Sequence, residues 1–158
     1  MTAVGVWDFK GAVPEFKALS SWGKKATENA LKAIRSLSVF KGIANRIANK
    51  KALSVWERVL LRQDARMVWS LHYGVKIPKG VEIHHIIPLE YAHLFPELNP
   101  NAINNLAAMS RESHSLLHNF WTNFRRTTPE PSPKQVRDAV DQIGRSLQSW
   151  GIQYKPLK

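Results

Sequence analysis

The 158-residue chain contains no cysteine, which excludes disulfide bonds and thiolate metal ligands. Any metal site must therefore use His, Asp or Glu. The chain has no run of 18 apolar residues, and its N-terminus lacks the basic-then-apolar layout of a signal peptide, so the sequence predicts a soluble protein. The missing cysteines leave the compartment open, because such a domain folds in reducing and oxidising surroundings alike.

Acidic residues are scarce in the first half of the chain. Residues 1–80 carry 15 Lys and Arg against five Asp and Glu, residues 81–158 carry eight against seven, and the net charge of the whole is +11. This asymmetry indicates a surface that faces a polyanion. Nucleic acid is the first candidate and an anionic membrane the second, while a basic surface that only maintains solubility is the third interpretation.

Helical periodicity dominates the basic half. Residues 1–20 show no sustained period and are assigned to a lead-in or linker. Residues 21–80 form a basic helical part, which begins with an amphipathic helix over residues 21–50 and has Gly42 as a candidate break. Such a helix either packs on the core or contacts a nucleic acid or a membrane.

A second helix is predicted from Ser54, because Ser54 and Glu57 have the spacing of a capping box, and Gly74 is its expected end. Its apolar positions follow one face, at Trp56, Leu60, Met67 and Leu71.

Two short strands and two further helices are predicted beyond residue 80. Residues 81–83 favour a strand that continues into a His pair, and residues 106–109 favour a second strand after a loop rich in Pro and Asn. Ser110 should cap a helix to about residue 126 that buries Leu116 and Leu117, and Ser132 should cap a last helix. The order of elements predicts an α+β fold that is mainly α-helical.

Four histidines carry the chemistry. His114 and His118 lie four residues apart, which places both imidazoles on one helix face, although most such pairs are ordinary surface residues. His84 and His85 follow a strand, where successive side chains point to opposite sides. One of them can join the helical pair as a third metal ligand while the other faces a substrate. Three nitrogen ligands with an open position indicate a catalytic site rather than a closed structural one.

The run from Glu82 through His84, His85 and Pro88, followed by Asn105-Leu106, His114 and His118, resembles the HNH or ββα-metal (His-Me finger) nuclease motif. The step from Asn105 to His114 and the His-x-x-x-His ending are similar to the nuclease domains of bacteriocins and other antibacterial toxins. The resemblance covers about residues 81–121 and implies a ββα-metal motif embedded among helices. One departure is the 19-residue segment between His85 and Asn105, which makes a regular hairpin doubtful.

The resemblance assigns a role to each residue of the motif. It implies that His84, His114 and His118 bind one divalent metal ion, which can be Zn²⁺, Mg²⁺, Mn²⁺ or Ni²⁺. It implies that His85 is the general base, which Asn105 orients by a hydrogen bond while holding the loop. Glu82 resembles an acidic position that supports the His pair in the toxin members. Phosphodiester hydrolysis needs these groups, because a water must be deprotonated and charge on the phosphate neutralised.

The basic residues supply candidate phosphate contacts. Arg111 lies one turn before His114 and can clamp a phosphate, or it is simply solvated. Further candidates for binding the nucleic-acid backbone are Lys24, Lys25, Lys50 and Lys51.

The expected domain plan is therefore one compact nuclease domain. It consists of the lead-in, the basic helical part, an HNH core at residues 81–126, and a C-terminal helix and tail at residues 127–158. The expected activity is metal-dependent endonucleolytic hydrolysis of DNA with little sequence preference.

The resemblance to toxin nucleases implies an antibacterial effector that is secreted or delivered into a target bacterial cell and acts in its cytoplasm. An acidic immunity protein is then the expected partner. The alternatives are an RNase using the same residues, a nucleic-acid-binding protein with a structural zinc, and a membrane-acting toxin that uses the first basic helix.

Overall fold

The computed structural model describes residues 37–149, and they form an α+β fold that is mainly helical, as the sequence predicts. The chain is helical at residues 37–48 (α1), and the remaining helices and strands are α2 (Val55–Tyr73), β1 (Val81–His85), β2 (Leu106–Ser110), α3 (Arg111–Thr127) and α4 (Pro133–Ser149). Two short 3₁₀ segments, Leu89–Leu94 and Ile103–Asn105, lie in the connection between the strands. In this part of the chain no helix is both long and apolar enough to cross a membrane.

The helix ends follow local capping chemistry. Ser54 accepts a hydrogen bond from the Glu57 backbone, and the Glu57 carboxylate accepts one from the Ser54 backbone, which completes the predicted capping box of α2. Gly74 ends α2 in the left-handed conformation, at φ 64°, where a residue without Cβ is favoured. Ser110 caps α3 and Ser132 caps α4, as predicted. The predicted starts of α2, α3 and α4 and the predicted end of α2 are thus confirmed.

The two strands pair antiparallel in a regular register. Val81 lies opposite Ser110, His84 opposite Ala107 and His85 opposite Leu106, with every intervening residue paired. The doubt about a regular hairpin was therefore wrong, because the long insertion is folded outside the ladder and leaves the pairing undisturbed.

The sheet lies between two helical layers, and successive side chains along each strand point alternately to one layer and to the other. On β2, Ala107 and Met109 pack in a cluster with α3 and α4, whereas Leu106 and Ala108 pack with α2. A third cluster joins α1 and α2 through Ile43, Ile47 and Leu61, together with loop residues. Since residues directly opposite in an antiparallel pair share a face, the two faces of β1 are directed to different helices.

The predicted apolar face of α2 is exposed. Trp56, Met67 and Leu71 are 65%, 50% and 61% exposed, and Leu60 is only half-buried. The helix instead buries a face that is offset by about one residue, made of Leu61, Asp64, Ala65 and Trp69. Apolar side chains occur on more than one face of this helix, so packing against β2 selects which face is buried.

Two smaller expectations were also wrong. The chain is continuously helical through Gly42, so no break occurs there within residues 37–48. Leu116 is 46% exposed, whereas its neighbour Leu117 is buried against α4 and the loop. The lead-in, the first part of the predicted helix over residues 21–50, and the tail after residue 149 lie outside the described residues.

Candidate functional site

The strand register separates the adjacent histidines of β1. His84 lies opposite Ala107, whose side chain packs toward α3, and His85 lies opposite Leu106, whose side chain packs toward α2. The two imidazoles therefore face different helices, as alternation along a strand requires. This separation gives each His its own chemical environment.

His84 meets His114 on the α3 side. Their ring centroids lie 5.6 Å apart with an interplanar angle of 72°. α3 begins directly after β2, so its first turn brings His114 against the neighbouring strand. The His84 Nε2 atom is inaccessible to solvent, and burial, followed by the nearby His114 and His85, lowers the pKa of His84 to about 3. Burial likewise lowers the pKa of His114. Both rings are therefore neutral at pH 7, as nitrogen ligands must be.

The separation of these two rings suits a shared metal ion. Two imidazoles bound to one tetrahedral Zn²⁺, with Zn–N of about 2.0–2.1 Å, would have ring centroids about 5 Å apart. His118 follows one turn along α3 and is exposed, on the same cavity as the pair. Within residues 37–149 no three His, Asp or Glu side chains already converge as a metal-binding group. The ring separation of His84 and His114 is thus compatible with a common ion, and His118 would have to turn inward to join them.

A cavity of about 310 Å³ is lined by residues of α2, β1, α3 and the loop between the strands. Its charged and imidazole-bearing lining residues are Arg62, Arg66, Glu82, His84, His85, Glu90, His114, His118 and Arg125. The structure thereby brings together all four predicted histidines and Glu82. Glu82 is 39% exposed in its side chain and lies 3.8 Å from the Arg66 guanidinium.

His85 is buried and hydrogen-bonded to an amide that the sequence analysis did not select. Its Nε2 atom lies 2.7 Å from Asn101 Oδ1, and the residue is 6% exposed. Burial lowers the pKa of His85 to about 4, against the opposing effect of the Asn101 hydrogen bond, and Arg62 lowers it further. His85 is therefore neutral at pH 7 and can accept a proton.

Asn105 does not orient His85, so that part of its predicted role was wrong. Its Oδ1 accepts a hydrogen bond from the Ile87 backbone at 2.9 Å, and its Nδ2 donates to the Pro100 carbonyl at 2.8 Å. These bonds tie both ends of the inserted loop together where the strands meet, which is in keeping with the loop-holding role that the resemblance implies. Asn105 does not contact His85 because both ends of its side-chain amide are hydrogen-bonded to backbone atoms.

Three arginines at the cavity were missed by the sequence analysis. Arg62 and Arg66 lie one turn apart on α2, and Arg62 is close enough to lower the pKa values of His85 and His114. Arg125 reaches the cavity from the end of α3 and pairs with Glu90. The available signal was the four-residue spacing of Arg62 and Arg66, which places both guanidinium groups on one helix face.

Of the other predicted phosphate contacts, those that the structure describes do not line this cavity. Arg111 is exposed at the first position of α3 and does not line the cavity, since its side chain extends into solvent there. Lys50 and Lys51 are exposed in the turn after α1. Lys24 and Lys25 lie outside the described residues.

Comparisons of the chain with protein-family models, curated proteins and solved structures gave no match.

Proposed function

We propose that the chain is a metal-dependent endonuclease of the HNH type that hydrolyses DNA with little sequence preference. The observation that carries this proposal is the separation of His84 from His85 by the strand register. It places one imidazole beside His114 in a pair that suits a metal, and it places the other in a buried site with a fixed hydrogen-bond partner. A ligand pair beside a separate neutral base is what metal-assisted hydrolysis requires.

His84, His114 and His118 would hold one divalent ion, with Zn²⁺, Mg²⁺, Mn²⁺ and Ni²⁺ as candidates. A divalent ion in such a site neutralises charge on the phosphate and the leaving oxygen. The three imidazoles leave at least one coordination position for a substrate oxygen, since a catalytic site keeps an open position. Glu82 lies on the same cavity and raises the pKa of His114, which opposes the effect of burial on that ring.

His85 would remove the proton from the attacking water. Its Nε2 is engaged with Asn101, so Nδ1 is the nitrogen available for the proton. The buried ring is neutral at pH 7, and the Asn101 hydrogen bond favours the imidazolium that forms on proton transfer. Nε2 would therefore orient the ring, and Nδ1 would accept the proton.

Arg62 and Arg66 would bind the phosphate oxygens. Both side chains are exposed at the cavity, and a guanidinium matches the planar arrangement of two phosphate oxygens. The positive charge of residues 1–80 would add contacts to the nucleic-acid backbone that carry no sequence information. Little sequence preference follows from contacts of this kind.

The biological role that fits this activity is that of an antibacterial toxin domain acting inside a target cell. This part of the proposal depends on the resemblance of the motif to toxin nucleases. An acidic immunity protein is the proposed partner, since a chain of net charge +11 is neutralised most effectively by a complementary surface.

The experiment compares His84→Ala with His85→Ala. Metal affinity is measured by calorimetry and plasmid nicking is measured on the same preparations, with the exposed His72→Ala as the matched control. We expect His84→Ala to lose both metal binding and cleavage, and His85→Ala to lose cleavage alone. Metal loss in His85→Ala with normal binding in His84→Ala would reverse the two roles.

Alternative substrates are tested in the same series. Cleavage of RNA but not DNA would make the chain an RNase with this site. Tight zinc binding without cleavage of either nucleic acid would favour a structural zinc and overturn the proposal.

A further inference from the structure

The side-chain amide of Asn101 is fixed by hydrogen bonds on both of its ends. Its Nδ2 donates to the Leu61 carbonyl at 3.0 Å and to Asp64 Oδ2 at 2.8 Å, while its Oδ1 faces His85 Nε2. All of these contacts are buried, and Asn101 itself is 5% exposed. The amide therefore connects α2 to the imidazole at the end of β1.

The reverse orientation of this amide is excluded by its surroundings. A turned amide would place Oδ1 against the Leu61 carbonyl and the Asp64 carboxylate, so that acceptors would face one another without a hydrogen. Buried acceptors that lose their donors are strongly disfavoured. Asp64 and Leu61 thus determine which atom of Asn101 is directed to His85.

This orientation determines the tautomer of His85. Because Asn101 Oδ1 can only accept, the hydrogen of the neutral imidazole must be on Nε2, and the lone pair is left on Nδ1. We propose that Asp64 and Asn101 are positioning residues that hold His85 as its Nε2–H tautomer, with Nδ1 as the proton acceptor. The functional meaning of this inference depends on the proposed nuclease activity, but the tautomer itself does not.

The burial of Asp64 supports this assignment. It is a carboxylic acid on α2 with 9% exposure, and the proposed hydrolysis does not otherwise use it. Burial raises its pKa and the Asn101 hydrogen bond lowers it. Burying a carboxyl group is costly unless it is hydrogen-bonded, and its partner here is the amide that contacts His85.

The first test is the nitrogen spectrum of His85 in the ¹⁵N-labelled full chain, recorded at neutral pH with and without Zn²⁺. The His85 resonances are identified by their loss in His85→Gln. We expect a protonated Nε2 and an unprotonated Nδ1 in the wild-type chain. Asn101→Leu, which has nearly the same volume but no acceptor, should shift the ring toward a mixture of tautomers.

Two further variants separate positioning from a merely structural role. Asp64→Asn keeps an oxygen that accepts from Asn101 Nδ2, so it should preserve the wild-type tautomer, whereas Asp64→Leu leaves only the Leu61 carbonyl to hold Nδ2 and should weaken the preference for that tautomer. Asn104→Leu, an exposed asparagine of the same loop, is the matched control and should leave the spectrum unchanged. A merely structural role would lower the stability of Asp64→Leu without changing the His85 tautomer.

Kinetics on plasmid DNA provide the second test. Asn101→Leu should lower kcat about 10- to 100-fold while KM and metal affinity stay near wild type, which is the usual effect of losing an orienting partner. An unchanged tautomer in both Asn101→Leu and Asp64→Leu would overturn the inference, whatever happens to the rate.

Failure of the nuclease proposal is recognised separately. If the wild-type chain cleaves no nucleic acid with any of the four metals, a tautomer change in Asn101→Leu still supports the positioning pair. If the wild-type chain cleaves DNA and Asn101→Leu keeps both its tautomer and its kcat, only the positioning assignment is wrong.

Discussion

Acid should destabilise the metal-free chain steeply, because two imidazoles are held neutral inside it. The pKa of His85 is lowered to about 4 and that of His84 to about 3, mainly by burial. In the unfolded chain both rings regain an ordinary pKa of about 6.5. The unfolded state therefore binds more protons between these values. The stabilisation that the two neutral rings contribute is complete above a pH of about 6.5. It is lost as the pH falls toward their pKa values in the folded chain.

The size of the effect follows from these pKa values. Lowering the pH from about 7.5 to about 5 should remove about 2 kcal/mol of unfolding free energy for each buried ring, or about 4 kcal/mol for both. A domain of this size is stable by only about 5–15 kcal/mol, so the loss is a large share of the total. Most carboxylates stay ionised at pH 5 and contribute little in this range.

Urea denaturation of the chelator-treated chain, followed by tryptophan fluorescence, measures this loss. His85→Gln removes one of the two buried rings, so it should retain only about half of the wild-type dependence on pH. The exposed His72→Gln is the matched control and should keep all of it. Equal unfolding free energies of the wild-type chain at both pH values, or an unchanged dependence in His85→Gln, would show that the two rings are not held neutral by burial.

Three further outcomes are expected. His114→Ala should weaken metal binding and cleavage together, because a site reduced to two ligands holds a divalent ion poorly; full activity in trace metal would make His114 a surface residue. Charge reversal of Lys50 and Lys51 should reduce the salt dependence of DNA affinity by about 0.9 in log–log slope for each lost phosphate contact, as measured by fluorescence anisotropy. If these charge reversals change only the binding to anionic liposomes, contact with a membrane is favoured instead. Phe95→Ala, at a position 1% exposed, should lower the free energy of unfolding by about 3–5 kcal/mol, whereas Leu116→Ala at 46% exposure should change it by less than about 0.5 kcal/mol.

The sequence alone predicted those features of the fold that neighbouring residues determine. Ser54 with Glu57, and Gly74 at the other end, define α2 because each cap is satisfied within a few residues. The opposite directions of His84 and His85 also follow from the backbone, since alternation is a property of any strand. The spacing of His114 and His118 likewise placed both on the cavity side of α3.

The sequence was insufficient where distant segments decide. The buried face of α2 depends on the shape of β2, which packs Ala65 and Trp69 and leaves Met67 exposed. The orienting amide could not be selected either, because the inserted loop contains several asparagines and has no period. Only the folded loop distinguishes Asn101, directed to His85, from Asn105, bound to the backbone.

The activity proposed for this cavity is the hydrolysis of DNA with the help of a metal. It is tested most directly by the conversion of supercoiled plasmid to nicked plasmid by the wild-type chain, after removal of metal and after its return. We expect no conversion in chelator and restored conversion on addition of at least one of Zn²⁺, Mg²⁺, Mn²⁺ or Ni²⁺. Nicking that persists at the same rate in chelator, or the absence of nicking with all four metals, would contradict the proposed activity.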